Sequence, residues 1–240
     1  MHYLFVTENY ENNNNILYIS ENLSSLIFKN ENKWVTADRN RVCIGFCIEE
    51  DLLDVAEDDL IDKISDIIAI NYKYHFFENS LKTMALSSKL REILLIALIS
   101  ADINEDKRYL RSKINKVGEI AIDGLYNFRL NNLKEKWEDI CSFIPEFFSE
   151  RELSEFIRYL IGGKKKIKIL VDGNKVFDRR GLILKKSSLV PNQSFKTLKE
   201  ILLSGATQIE VEKMPHAEEE QRYIKEFFGD KILFKSSEIL

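Results

Sequence analysis

The chain has 240 residues, of which 45% are hydrophobic and 31% are charged, and these proportions are those of an ordinary globular protein. Its formal net charge of −4 at pH 7 argues against a protein that is basic throughout, as many nucleic-acid-binding proteins are. A chain of this length can bury a full hydrophobic core, so folding requires neither a disulfide framework nor a structural metal.

The first 50 residues predict a small antiparallel sheet, because β-branched and aromatic residues occur in short runs that polar residues separate. An asparagine-rich loop divides the first two of these runs. The predicted strands are HYLFV (2–6), NILYIS (15–20), SLIFKN (25–30), KWVTA (33–37) and RVCIGFCI (41–48).

From residue 51 the apolar residues recur at steps of three and four, which predicts helices. On the first helix Asp58, Asp62 and Asp66 follow each other at four-residue spacing, where like charges repel. This row predicts either a solvated face or a site for a divalent cation. The predicted helices cover residues 51–81, 88–100, 104–120 and 123–148.

The last third of the chain predicts a mixed sheet with helices. A capping box, Ser149 with Glu152, begins a fifth helix that ends at Gly162. Two strands are joined by a hairpin turn at residues 172–174. A helix between a Ser194 cap and Gly205 follows. The remaining elements are a strand over 207–214, a helix over 217–229 and a strand over 231–236, and this alternation predicts that part of the sheet is parallel.

Together these elements predict an α+β fold. It has a small N-terminal antiparallel sheet (1–50), a central helical layer (51–162) and a C-terminal mixed α/β unit (163–240), which can pack as one globular domain.

The location predicted from the sequence is the cytoplasm. An odd number of cysteines (Cys43, Cys47 and Cys141) in a long chain predicts no disulfides and a reducing compartment. Residues 1–15 lack the features of a signal peptide. The longest apolar run, residues 93–99, is shorter than the ~20 residues that a membrane-spanning helix needs.

Motifs for catalysis or for a bound metal are absent from the sequence. It contains no nucleophile elbow, no phosphate-binding P-loop and no dinucleotide-binding glycine pattern. His2, His75 and His216 lie in distant segments without a metal-ligand partner at a suitable spacing. We therefore predict a non-enzymatic protein with no catalytic residue, cofactor or metal. The competing hypothesis, an unrecognised hydrolase, requires acidic, histidine or lysine side chains that converge in one cleft.

The stretch from residue 158 to 186 is basic, and such a local excess of positive charge attracts phosphates. Its lysines could equally project from a half-buried strand and protect the edge of a sheet. The residues that we select as candidates for binding an anion or partner are Lys164, Lys165, Lys166, Arg179 and Arg180.

A further candidate comes from EIAIDGLYNFRL, residues 119–130. Asp123 with Gly124 predicts a helix N-cap and the first helical turn, which places Tyr126 and Leu130 on the core face. Phe128 lies off that face, so we expect it to pack against another element. Arg129 either pairs with a nearby carboxylate or holds an anionic ligand or partner.

The segment IAIDGLYNFRLNNLKEKWEDI (120–140) resembles the YtxC-like family of sporulation proteins, in which such a string leads into a helix. The matching positions are Ile120, Ile122, Asp123, Gly124, Phe128, Arg129 and Leu130. The segments 154–161, 166–181 and 195–213 are also similar to that family, and the likeness covers residues 90–240. The resemblance implies an association with sporulation, and it brings no activity, cofactor or catalytic residue.

The predicted function is therefore that of a sporulation-associated protein that binds a protein partner. The alternative is the binding of nucleic acid or another anionic partner through the basic stretch 158–186.

Overall fold

The fold class is α+β, as the sequence predicts. A computed structural model describes residues 1–24, 27, 32–114, 118–162, 167–192 and 194–235. The chain forms two compact units, which we call the first unit (Met1–Phe76 with Asn104–Ser142) and the second unit (Phe77–Ile103 with Phe143–Leu240). Each unit has its own four-stranded sheet. The unit boundaries differ from the divisions predicted after residues 50 and 162, because each unit takes residues from two stretches of the chain.

The sheet of the first unit has the strand order β2-β3-β1-β4. Its strands are β1 (His2–Asn9), β2 (Lys33–Ala37), β3 (Arg41–Ile48) and β4 (Glu119–Ala121). Strands β1, β3 and β2 are antiparallel to their neighbours, whereas β4 runs parallel to β1. Leu4, Val6, Ile44 and Phe46 are buried on one face of this sheet, and alternation along the strands turns their neighbours to the opposite, outward face.

The helices between residues 13 and 142 are α1 (Asn13–Asn22), α2 (Leu53–Ile67), α3 (Lys73–Ser80), α4 (Ser88–Lys113), α5 (Ile122–Arg129) and α6 (Asn131–Ser142). The second unit begins at Phe77, within α3. One π-helical turn, Ile68–Tyr72, joins α2 to α3. Helix α4 joins the predicted helices 88–100 and 104–120, but it ends at Lys113, and residues 119 and 120 belong to β4. It contributes residues 88–103 to the second unit and residues 104–113 to the first.

Two of the predicted elements are wrong. The strand predicted over 15–20 is part of α1, because Ile16 and Ile19 are three residues apart and are buried on the same side of a helix. The helix predicted over 123–148 is divided at Leu130 into α5 and α6, and it ends at Ser142. Of the strand predicted over 25–30, only residue 27 lies within the described residues.

Cations on α4 pair with the row of aspartates on α2, and the Asp58 end of the row is solvated, with 74% of its side chain exposed. The Nζ atom of Lys107 lies 2.8 Å from Asp66 Oδ1 and 2.9 Å from Asp62 Oδ1. Arg111 binds Asp58 at 3.0 Å. The two cations follow each other at four-residue spacing, as the acids do, so the row is an ion-pair network between two helices.

The sheet of the second unit has the strand order β6-β5-β7-β8. Its strands are β5 (Lys168–Asp172), β6 (Lys175–Phe177), β7 (Gln208–Lys213) and β8 (Ile232–Phe234), and its further helices are α7 (Glu150–Gly162), α8 (Lys196–Ser204) and α9 (Glu218–Phe228). Strand β7 is parallel to both β5 and β8, which confirms the predicted partly parallel sheet. The predicted hairpin between β5 and β6 is also confirmed, with Gly173 in the left-handed region at φ 57°.

The helix ends of this unit agree only in part with the predictions. The capping box of α7 is confirmed, since the Ser149 backbone N–H donates to Glu152 Oε2 at 2.9 Å and the Glu152 N–H donates to Ser149 Oγ at 3.3 Å. Gly205 ends α8 in the left-handed conformation. Ser194 does not cap α8, because the Glu220 carboxylate on α9 accepts the Leu198 N–H at 2.9 Å.

Candidate functional site

A cavity of about 370 Å³ lies in the first unit beside α5, and we call it the α5 cavity. The side chains of Ile114 at the end of α4, Ile120 on β4 and Leu125 on α5 form its apolar walls. Phe128 and Arg129 also line it, together with Lys113 and Glu119. Four positions of the motif that carries the family resemblance therefore meet in one place, namely Ile120, Gly124, Phe128 and Arg129.

The local sequence explains why the cavity forms at this point. Residues Glu119 to Ala121 pair in parallel with Phe5 to Thr7 on β1, and the chain then enters α5 directly at Ile122. A Cβ atom at position 124 would lie 3.4 Å from the Cβ of Ala121, which is an ordinary van der Waals contact, so the start of the helix against β4 does not depend on this glycine. The strand and the helix thereby form two adjacent walls of one cavity.

Asp123 anchors α5 to the sheet, and it is not the N-cap that the sequence predicts. The N-cap is Ala121, and Asp123 lies in the first turn. Arg41 on β3 binds its carboxylate through both guanidinium branches, at 2.7 and 3.1 Å, and also donates to Thr7 Oγ1 at 3.0 Å. The hydrogen bond from Arg41 holds the pKa of Asp123 below its ordinary value. The carboxylate therefore stays ionised and ties α5 to β3.

Arg129 is exposed at the end of α5, and within the described residues its side chain has neither a hydrogen bond nor an ion pair. The carboxylate partner that the sequence suggests for Arg129 is thus absent from the described part of the chain. Lys113 is also exposed, and its Nζ lies 5.3 Å from the ring centre of Tyr109. Among the described lining residues Glu119 is the one carboxylate, so the charged groups described there have a net positive charge.

The aromatic residues of α5 lie on different faces. Leu130 is fully buried, and the Tyr126 ring packs 4.5 Å from the Tyr72 ring, so the predicted core face is confirmed. The prediction for Phe128 is wrong, because 83% of this residue is exposed. Its position two residues from both Tyr126 and Leu130 turns it away from the core, towards the rim of the α5 cavity.

The structure places the other candidate cations in the second unit. Lys164, Lys165 and Lys166 lie outside the described residues. Arg179 lines a cavity of about 530 Å³ in which the carboxylates of Asp172, Asp178, Glu210 and Glu212 also lie. Arg180 is exposed in the turn that follows β6.

Carboxylates are interspersed among the described cations of the basic stretch. Lys168 forms an ion pair with Glu210 at 2.5 Å, and Arg158 donates to the backbone oxygen of Glu226 at 2.9 Å. The binding of nucleic acid through the stretch 158–186 stays a prediction.

A buried polar cluster in the first unit was not identified from the sequence. Glu8 is 0% exposed, and its carboxylate accepts hydrogen bonds from Asn15 Nδ2 at 3.0 Å, from the Asn9 N–H at 2.8 Å and from the Tyr72 hydroxyl at 3.0 Å. Burial raises the pKa of Glu8 and also that of Tyr72. The alternation of β1 indicates this burial, because Glu8 shares a strand face with Leu4 and Val6.

The described residues contain no cluster of three or more histidine, cysteine, aspartate or glutamate side chains that could hold a metal ion. Cys43 and Cys47 are free thiols on the same face of β3. Among the helices of the described ranges, none is both long enough and apolar enough to cross a membrane.

Comparisons with known proteins add no relative. No protein-family model, no curated protein and no solved structure matches the chain. The resemblance to the YtxC-like family thus rests on the residues quoted for it and stays a prediction.

Proposed function

We propose that the protein is a cytoplasmic, non-enzymatic, sporulation-associated protein that binds an anionic partner at the α5 cavity. The observation that carries this proposal is the position of Arg129 beside an apolar cavity, with no carboxylate partner among the described residues. Lys113 lies at the same cavity and adds a second cation.

The chemistry of these side chains favours a carboxylate or phosphate as the group that is bound. A guanidinium presents several N–H donors in a fixed plane, which matches the paired oxygens of such anions. The walls formed by Ile114, Ile120 and Leu125 provide contact area for an apolar part of the same partner. The exposed Phe128 ring at the rim supports this reading, since exposed aromatic residues are enriched at interaction surfaces.

The residues that line the α5 cavity also favour binding over catalysis. The described ones include one carboxylate, Glu119, and no serine, cysteine or histidine. Covalent catalysis needs a nucleophile within hydrogen-bond reach of a base, and these residues offer no such pair.

The binding proposal is tested with inorganic pyrophosphate and a short polyglutamate peptide at low ionic strength. We expect at least one of these anions to raise the Tm of the wild type in a concentration-dependent manner. Arg129→Gln and Lys113→Gln should each weaken that binding about tenfold or more, because each removes a charge-assisted hydrogen bond. Arg108→Gln is the matched control, since Arg108 is an exposed cation of α4 that does not line the cavity. If neither anion changes the Tm of the wild type, the proposal is wrong.

The association with sporulation rests on the family resemblance and is tested in the host cell. We expect deletion of the gene to lower the spore count. The wild-type and Arg108→Gln genes should restore it, whereas Arg129→Gln should not. A normal spore count in a clean deletion strain would contradict the association.

A further inference from the structure

The outward face of the first unit's sheet carries a cluster of three aromatic rings, Tyr3, Phe5 and Trp34, which we call the aromatic platform. The ring centres lie 6.4 Å apart for Tyr3 and Phe5, 6.2 Å for Tyr3 and Trp34, and 5.9 Å for Phe5 and Trp34. Tyr3 is 60% exposed and Trp34 is 37% exposed. The platform therefore presents aromatic surface to solvent, while the opposite face of the same strands forms the core.

A glycine in the central strand allows Trp34 to lie flat on this face. Gly45 pairs with Trp34 on one side and with Phe5 on the other. A Cβ atom at position 45 would lie 2.5 Å from Cε2 and from Cζ2 of the indole, closer than two carbon atoms can approach. The glycine at position 45 thus leaves room for the indole against the central strand.

The platform continues into the α5 cavity along a row of paired residues. The row runs across the sheet from Trp34 through Gly45 and Phe5 to Glu119. Glu119 lines the α5 cavity, and neighbouring strands are about 4.8 Å apart. Phe5 is therefore one strand from Glu119, whereas Trp34 is three strands, roughly 14 Å, from it. The cations Arg129 and Lys113 line that cavity and belong to the same unit as the aromatic platform.

We propose that the aromatic platform and the α5 cavity together bind single-stranded nucleic acid, with bases stacked on the rings and a phosphate held by Arg129 and Lys113. The proposal rests on the proposed function, because it names the anionic partner of that same cavity. Flat bases stack on exposed aromatic side chains whatever their sequence, and an open sheet face that carries such side chains is a recurring way to bind unpaired strands. The two cations supply the charge that a phosphate requires.

An acidic peptide is the competing partner, and the platform favours nucleic acid over it. A carboxylate-bearing peptide would use Arg129 and the apolar walls of the cavity, and it would leave Tyr3 and Trp34 without a role. A nucleotide presents both a planar ring and an anion, which are the two features that the platform and the cavity accommodate. Because the contact to phosphate is made by cations, such binding should weaken as salt is added.

The test uses fluorescein-labelled oligothymidylate and oligouridylate, each about 12 nucleotides long, in fluorescence anisotropy titrations at low ionic strength. We expect the wild-type full chain to bind at least one of them, and the affinity to fall steeply as salt is added. The comparison of the two strands shows whether the ribose 2′-hydroxyl matters. If the wild type binds neither strand, the proposal fails.

Variants of the platform and of the cavity separate stacking from charge. Tyr3→Leu and Trp34→Leu should each weaken binding about tenfold, and Arg129→Gln should do the same while also reducing the dependence on salt. Tyr159→Leu on α7, which removes an exposed ring of the second unit, should leave the affinity unchanged. Glu119→Gln should strengthen binding about threefold, because it removes the carboxylate between the platform and the cations. Equal affinity for wild type and Tyr3→Leu would overturn the proposal.

Tryptophan fluorescence separates direct stacking on Trp34 from a purely structural role of this residue. The chain has two tryptophans, and Trp137 is fully buried, so quenching by acrylamide reports on Trp34. Bound oligonucleotide should protect Trp34 from acrylamide, and an absence of protection at saturation would count against stacking.

The outcomes also distinguish this proposal from the proposed function. If pyrophosphate or polyglutamate binds in an Arg129-dependent manner and neither oligonucleotide binds, the nucleic-acid proposal is wrong and the proposed function stands. If none of these probes binds, both are wrong.

Discussion

At the scale of single residues, pairing and burial shift the pKa values of two carboxyl groups in the first unit. Asp123 is held ionised by Arg41, and its role is to fix α5. Glu8 is the opposite case, since burial raises the pKa of its carboxyl although three donors surround it. These two carboxylates have structural roles, and the cations that stay available for a partner are Arg129 and Lys113.

The raised pKa of Glu8 predicts a specific dependence of stability on pH. A carboxyl whose pKa is higher in the folded state binds its proton more tightly there, so its contribution to stability falls as the pH rises above the ordinary value of 4.5. Glu8→Gln removes this titration and keeps an acceptor for Asn15 and Tyr72. We expect the Tm of the variant, relative to that of the wild type, to increase between about pH 4 and pH 7. A difference in Tm that stays constant over this range would contradict the assignment.

At the scale of the elements, an ion pair in the interior connects three helices of the first unit. Lys73 on α3 and Asp106 on α4 are both 0% exposed and lie 2.6 Å apart. The Trp137 indole N–H on α6 donates to the same carboxylate at 3.0 Å, and Lys136 binds it at 2.7 Å. The single carboxylate of Asp106 therefore satisfies donors from two other helices.

Replacing that carboxylate should destabilise the protein strongly. Asp106→Leu removes the negative charge next to the buried ammonium of Lys73, and we expect a loss of about 3–5 kcal/mol in the free energy of unfolding. Lys136→Gln is the matched control, because its partly exposed charge should contribute less than about 1 kcal/mol. Urea denaturation followed by circular dichroism gives both values, and equal losses would show that burial is not the cause.

The capping box of α7 gives a smaller effect that is confined to one helix end. Ser149→Ala removes the hydroxyl that accepts the Glu152 N–H, and we expect it to lower the free energy of unfolding by about 1 kcal/mol. Ser149→Asp retains a capping acceptor and should restore most of the loss. If both variants have the same urea midpoint, the cap does not contribute to stability.

The elements also show how far the sequence determines the fold and the site. Long helices, the hairpin and the capping box follow from periodicity and turn residues, because these signals are local. Strand β4 has three residues, too few for a periodic pattern. The apolar residues of α1 form one short run, which has the length of a strand. The sequence indicated Arg129 and Phe128 as candidates, but it did not indicate Lys113. Lys113 is distant from them in the sequence, and the fold brings the three residues to one cavity. An isolated glycine within a strand, Gly45, is the sequence signal that could have indicated the aromatic platform.

At the scale of the whole molecule, each unit combines two separate stretches of the chain. The second unit includes part of α4, which precedes the last segment of the first unit in the sequence. One residue of this part is Glu92, which binds the buried Lys199. Burial lowers the pKa of Lys199, and the carboxylate of Glu92 opposes that change. The C-terminal part alone lacks this carboxylate.

A fragment of residues 143–240 should therefore fail to fold by itself. It would lack residues 77–103 and would leave Lys199 without Glu92. Circular dichroism and urea titration of the fragment should show no cooperative transition, whereas a fragment of residues 77–240 retains all segments of the unit. A cooperative transition of the shorter fragment would contradict this expectation and support the division that the sequence predicts near residue 162.

The ion pair between Arg41 and Asp123 has a consequence for the order of folding. Its two residues are 82 positions apart in the sequence, so the contact closes a long loop and adds to the contact order of the first unit. Strands β1, β2 and β3 carry the three rings and need only the first 48 residues. During synthesis the platform can thus form while α5 is still absent, and the cations reach it only after the loop closes. A chain cut short before residue 129 would have the rings but lack Arg129.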